Sequence, residues 1–326
     1  MPAFTTREDT DVGHAARRGG RSASLASARS GVHIRQMDDQ DLERILELRK
    51  SVRWSADPRA FSLLREMREA RWAIAEIEES GAVVGMVGAV PFGEVGILCH
   101  LAVHSDYRKL NLGVRLSSWA VSYLRSRGAE VIRLDSTRQA ERLYGSLGFQ
   151  PVYRRTVYRL DGGILAARLR GNRALDVRLR GLRVAPLLFG DLPELYGVDR
   201  WSFGAERSAL IRATLKLHPG WGLIARDASG SIKGYLIRSA SGTVVRIGPF
   251  MASSPEIACA LLSRALNTDG GRSVEVSLPV PNESPAHGVL REFGFVGYRD
   301  RLRMELGETP RTKGLEVYGT TPYLAT

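Results

Sequence analysis

The chain has little cysteine and no long apolar run. Among its 326 residues only Cys99 and Cys259 are cysteines, far apart and each inside an apolar segment. That spacing supports neither a disulfide framework nor a zinc cluster, so no metal is expected and a reducing compartment, the cytoplasm, is the expected location. No stretch approaches the roughly 20 consecutive apolar residues that a bilayer-crossing helix needs, and the N-terminus lacks the apolar core of a secretory signal. A membrane partner is therefore not expected. Acidic residues are outnumbered, 35 Asp and Glu against 47 Lys and Arg, which leaves a formal charge of +12. Such an excess suggests an anionic partner: a nucleic acid, a membrane surface or a nucleotide cofactor. Arginine is spread widely and no recognisable nucleic-acid module accompanies it, so nucleic acid is not the expected one.

What is present is ordinary globular material, 44% hydrophobic and 25% charged. At this length two domains and two cores are the starting expectation. Residues 1–30, with Arg-Arg-Gly-Gly-Arg at 17–21 and no hydrophobic period, read as a disordered basic arm. Glu8, Asp9 and Asp11 count against a transit peptide. Residues 308–326, punctuated by Pro310, Gly314, Gly319 and Pro322, read as a tail.

Between these ends the chain repeats itself. In the first half a helix with Leu42, Ile45 and Leu46 precedes strand-like runs at 72–78, 82–90 and 95–103, separated by Ser80-Gly81 and Phe92-Gly93. A helix at 112–127, a strand at 130–135, a helix at 138–146 and Gly148-Phe149 follow. The second half runs through strands at 221–226, 232–238 and 243–250, turns at Ser229-Gly230 and Ser241-Gly242, a helix at 255–267, a strand at 273–279, a helix at 284–292 and Gly294-Phe295. The expected fold is α+β: two related domains, 31–160 and 183–307, each a mixed central sheet flanked by helices. An Arg-rich connecting segment at 161–182 joins them.

The strand ending in Leu101-Ala102-Val103 leads through a basic loop, Arg108-Lys109-Leu110-Asn111-Leu112-Gly113, into an amphipathic helix with Leu112, Leu116, Trp119, Ala120 and Tyr123 at helical spacing. A strand, a basic loop and a helix N-terminus form an anion site, because unpaired backbone N–H groups converge there and the helix dipole favours negative charge. A pyrophosphate suits it. At the distance of the next strand and helix stands Ala140-Glu141-Arg142-Leu143-Tyr144-Gly145-Ser146-Leu147-Gly148-Phe149.

Over residues 32–160 these two motifs resemble the GNAT acyltransferase superfamily. Its phosphate loop reads Arg/Gln-x-x-Gly-x-Gly/Ala, and its later signature reads Ala-x-x-x-Tyr-x-x-x-Gly-Phe. Asn111 departs from the loop's first glycine, although Asn tolerates a left-handed backbone better than most residues. The resemblance implies acetyl-CoA, or another short acyl-CoA, as co-substrate. Backbone N–H groups from Arg108 to Val114 would hold its pyrophosphate, and the main chain of Leu101, Ala102 and Val103 its pantetheine arm. Thr137 and Arg138 would stand where the arm emerges. The acceptor would be a small-molecule or peptide amine, and Tyr144 would protonate the departing sulfur.

The same resemblance puts the general base on the strand before the loop, at positions occupied here by Ile97 and Cys99. Neither is a base. Glu94, at the strand's start, is the remaining candidate. His100 points away from Cys99 by strand alternation and reads as a packed residue. A water relay, or an amine already partly neutral, also stays open.

In the second copy Leu290 replaces Tyr144, and Met251-Ala252-Ser253-Ser254-Pro255 lacks a basic glycine loop. This half is not expected to catalyse. It is similar to the divergent C-terminal half of tandem bacterial GNAT proteins, which implies a place in the acceptor pocket for Trp221, Arg246, Asn282 and Arg303. The expected function is acyl transfer to an amine within a ternary complex. The alternative is a non-catalytic regulatory module that binds CoA thioesters.

Overall fold

A computed structural model describes residues 31–54, 56, 58, 66–171, 179–241, 243–269, 275–308 and 314–321. The expected arm at 1–30, Arg173 and Arg178 of the connecting segment, Gly242 of the second-half turn, and residues 309–313 and 322–326 of the expected tail lie outside the described residues.

The first half runs β1 (Val32–Gln36), α1 (Leu42–Ser51), β2 (Arg71–Ile77), β3 (Val83–Phe92), β4 (Val95–Val103), α2 (Leu112–Ser126), β5 (Val131–Ser136), α3 (Glu141–Ser146) and β6 (Gln150–Asp161). After α4 (Gly162–Gly171) the second half runs β7 (Arg183–Pro186), α5 (Leu192–Phe203), α6 (Ser208–Leu217), β8 (Gly222–Arg226), β9 (Ile232–Ser241) and β10 (Val244–Ala252). It continues through α7 (Pro255–Asp269), β11 (Glu275–Pro281), α8 (Ala286–Glu292), β12 (Val296–Leu306) and β13 (Glu316–Gly319). The described strands form one mixed sheet in the order β1-β2-β3-β4-β5-β12-β6-β11-β10-β9-β8-β7, with β13 added to β10. Among the described residues only β4 with β5 and β10 with β11 run parallel.

Helix α2 follows its sequence pattern: Leu112, Leu116, Ala120 and Leu124, four apart, are buried on the sheet. The fit is close because two strand glycines lie beneath them. A Cβ on Gly85 would come within 2.8 Å of Leu116 and one on Gly96 within 2.9 Å of Leu124. This contact fixes where the N-terminus of α2 meets the end of β4.

The two halves are not separate sheets. β6 and β12 pair antiparallel at the centre, Gln150 opposite Glu305 and Arg159 opposite Val296. Each strand then runs on into the other half. Residues 302–306 of β12 pair with β5, and residues 155–161 of β6 pair with β11. Leu302 and Met304 complete the first core beside Leu98 and Leu116, while Tyr158 and Leu160 complete the second beside Leu236 and Leu261. Each core thus takes closing apolar residues from the other half's strand.

Two further segments differ from expectation. The connecting segment opens with α4, whose Leu165 is wholly buried in the second core. The tail contains β13, where Phe250 faces Gly319 and Ala252 faces Glu316. Tyr318 is wholly buried against the Phe250 ring, 5.5 Å between centroids.

Candidate active site

β4 and β5 pair only from Val95–Ile97 to Val131–Arg133 and then splay apart. The edge of β4 beyond Ile97 is left without a strand on that side, which makes its main-chain groups available to an extended ligand. A cavity of about 800 Å³ opens in the splay. Leu101, Ala102 and Val103 line one side, Arg108, Lys109, Asn111, Leu112, Gly113 and Val114 its end, and Asp135, Thr137, Leu143 and Tyr144 the other side. Of the expected cofactor residues, Leu110 packs instead into the first core, and the exposed Arg138 yields its place in the wall to Gln139.

The loop before α2 carries two left-handed residues, Lys109 at φ +67° and Asn111 at φ +60°. Alternating hands turn successive N–H groups to one side, the geometry of an anion nest. The Asn111 side chain does not cap α2, and the first turn of α2 holds no acidic residue. Its N–H groups thus face the cavity with no competing carboxylate on their own turn, which fits a pyrophosphate.

Tyr144, only 4% exposed, projects from α3 into the splay with its ring edge against Phe149, 5.8 Å between centroids. Burial pushes its phenol pKa up, and nearby Cys99 adds to the shift. The hydroxyl therefore keeps its proton across the working range, as an acid must. Burial also pushes up the Cys99 thiol.

The expected base is corrected. Glu94 is exposed in the turn between β3 and β4, where its carbonyl accepts from the N–H groups of Glu130 and Val131. It stands at the paired end of the splay, roughly 20 Å along β4 from Leu101, and lines neither cavity described here. His100 is packed as expected, 8% exposed, but its side of the strand differs, because β4 bulges between the pairs Cys99–Gly88 and Ala102–Met86. At φ +54° its ring turns to Arg49, 3.4 Å between Nδ1 and Nη1, and to the Trp54 ring. The extra residue in the bulge breaks the alternation on which the sequence reading relied.

A second cavity, about 520 Å³, lies between the halves. Ile97, Arg133 and Asp135 line it from the first half, with Arg303 and Glu305 of β12, Phe203 and Arg207, Glu283, and residues 314–317 and 320–321. On its floor the antiparallel register sets Arg133 opposite Glu305 and Asp135 opposite Arg303. Arg133 Nε lies 2.9 Å from Glu305, and Arg303 donates Nε and Nη2 to the two Asp135 oxygens at 2.9 and 3.0 Å. Arg155, wholly buried, adds a contact to Asp135 at 2.9 Å. Burial alone would raise the Asp135 carboxyl, but the Arg155 and Arg303 guanidiniums hold it below the usual carboxylate range.

Of the four residues expected around the acceptor, only Arg303 lines this cavity. Trp221 packs on the second core under Arg238, and Asn282 accepts from the Thr156 hydroxyl outside the cavity. Arg246 is half-buried on β10, within electrostatic reach of Arg49. The sequence reading missed Asp135, Arg133, Arg155 and Glu305. Their signal was Arg-x-Asp at 133–135 and Arg-x-Glu at 303–305, complementary charges at period two inside apolar strands.

The second half keeps the splay and fills it. β10 and β11 pair only from Val244–Arg246 to Glu275–Ser277. Phe250–Ala252, which correspond to Leu101–Val103 counted along the strands, then pair with β13, and Thr320 N–H donates to Pro279 of β11. Leu290 is wholly buried where the first half has Tyr144, and Glu256 occupies the first turn of α7. Calorimetric titration with CoA is accordingly expected to give one site per chain; a stoichiometry of two would contradict the filled slot.

A splayed parallel strand pair, an uncapped helix N-terminus at its mouth and a buried tyrosine thus meet in one cavity. In comparison with known proteins, residues 40–149 match the Acetyltransferase (GNAT) family and residues 196–319 the Acetyltransferase (GNAT) domain, together more than half of the chain. The chain belongs to the GNAT family as a tandem protein, and is an N-acetyltransferase of that type. It is 24% identical over 217 residues to YitH of Bacillus subtilis strain 168, an uncharacterized N-acetyltransferase, covering 66% of this chain and 71% of that protein. A crystal structure from Pyrococcus horikoshii superposes with TM-score 0.70 at 19% identity, over 91% of this chain and 96% of that one. A tandem GNAT protein from the clavulanic acid biosynthesis pathway superposes with TM-score 0.61 at 12% identity, over 86% and 100%. At these identities the two structures bear on the fold alone.

Proposed function

We propose that the chain transfers an acetyl or similar short acyl group from CoA to a primary amine by direct attack. The CoA arm lies along β4 in the splay, and the amine enters through the cavity between the halves. The observation that carries this reading is the open β4 edge, with the uncapped α2 N-terminus at one end and Tyr144 beside it. The strand β13 supports it, being an extended segment seated on the corresponding edge of β10. In this reading the Leu101–Val103 main chain holds the arm, the loop N–H groups hold the pyrophosphate, and Tyr144 gives its proton to the sulfur.

No helix among the described residues is long and apolar enough to cross a membrane. We place the reaction in the cytoplasm, where Cys99 and Cys259, both free, stay reduced. The apolar Ile97 and the neutral Cys99 favour the second reading, a sensor that binds CoA thioesters without turnover. Thiol release from acetyl-CoA across a panel of primary amines decides between them. Amine-dependent release is expected, and CoA binding with no such release would leave the sensor.

A further inference from the structure

The positions of β4 that would carry a base hold Ile97 and Cys99, and neither accepts a proton from an amine. Carboxylates stand on the same face one and two strands away: parallel register sets Ile97 beside Arg133, and antiparallel register sets Arg133 beside Glu305 and Asp135 beside Arg303. Asp135 is distinguished from Glu305 by place. It alone among the described residues lines both cavities, facing the splay with Tyr144 and the space between the halves with Arg303. A thioester held in the splay and an amine arriving between the halves meet at this residue.

We propose that Asp135 is the residue that receives the acceptor amine, accepting its N–H as the nitrogen attacks, and that Arg155 and Arg303 are positioning residues that aim the carboxylate at the splay. The inference rests on the acyl-transfer reading above. As the nitrogen–carbon bond forms and the carbon–sulfur bond breaks, the electron pair goes to sulfur, which takes the Tyr144 proton. The surplus proton on nitrogen, held against Asp135 while positive charge develops there, leaves to water in the cavity between the halves. Tyr144 recovers a proton from water, so the sum is amine plus thioester to amide plus thiol. Asp135 stays ionised throughout, because two guanidiniums surround it. Its contribution is an ionic hydrogen bond to the nitrogen rather than storage of the proton.

Asp135→Asn keeps the shape and loses the charge. With wild type showing amine-dependent thiol release, the variant is expected to lose about 100-fold in kcat while its calorimetric Kd for CoA stays within about twofold, a split that general loosening of the fold would not give. An unchanged kcat, or a loss of CoA affinity in step with kcat, would overturn the proposal. If Asp135→Asn does not fold, Arg303→Lys serves: it keeps the charge but not the paired hydrogen bonds. A kcat about tenfold lower at unchanged CoA affinity is then expected, and an unchanged kcat would overturn the positioning role. A wild-type protein without amine-dependent release would instead remove the acyl-transfer reading on which this one stands.

Discussion

Tyr144→Phe is expected to lower kcat by about 100- to 10,000-fold while leaving the melting temperature and CoA affinity nearly unchanged. The ring is buried against Phe149 and within electrostatic reach of Cys99, and phenylalanine fills the same volume. What the substitution removes is the proton. A thiolate leaving into an apolar cavity without one is a charge taken out of water, and its cost falls on the transition state. Burial raises the Tyr144 pKa, so wild-type activity should not decline through the ordinary tyrosine range near pH 10. Steady-state thiol release against pH, with calorimetry for CoA, tests both points. Full turnover by Tyr144→Phe would exclude the acid role.

The exchange of β6 and β12 has the larger effect on folding. Residues 31–161 expressed alone lack the neighbour of β5 and the core residues Leu302 and Met304, and they expose Tyr158 and Leu160. An unpaired edge beside an open core is expected to aggregate. A variant in which Arg154 is joined to Leu302 through a two-residue Asn-Gly turn, and which ends after Leu306, should behave differently. These residues are opposite one another in the β6–β12 pair, so the turn converts two exchanged strands into a local hairpin. Cooperative thermal unfolding of this variant, with none for residues 31–161, is the expected result; a well-folded 31–161 would show the exchange to be dispensable.

The order of elements, the basic loop before α2 and the place of Tyr144 on α3 were legible because each is a local pattern: period-four apolar residues in α2, a turn at Gly81, and Gly148-Phe149 closing α3. Asn111 in the left-handed region follows from its side chain and the loop's need. Partner choice among strands is not local. Nothing within β6 says that its second half pairs with β11, since alternation marks a face and not a neighbour. β13 is only four residues long, ends in a glycine and has another just before it, so a pattern search passes over it. Glu94 failed because a strand reading gives parity along β4 but not which end splays. Asp135 was not legible because the charged face to which it belongs spans β5 and β12, strands far apart in sequence.

The crossed strands also set a timetable for biosynthesis. The half that carries Tyr144 leaves the ribosome first, yet its sheet lacks the β5 neighbour until Leu306 has been made. At roughly 5–20 residues per second, synthesis from residue 162 to 306 takes on the order of 7–30 s. For that interval the nascent chain carries an open β-edge beside an incomplete core, which is the surface that holding chaperones bind. A chain cut short before Leu306 is therefore expected to show no acetyltransferase activity, because β5 lacks its neighbour and the first core its closing residues.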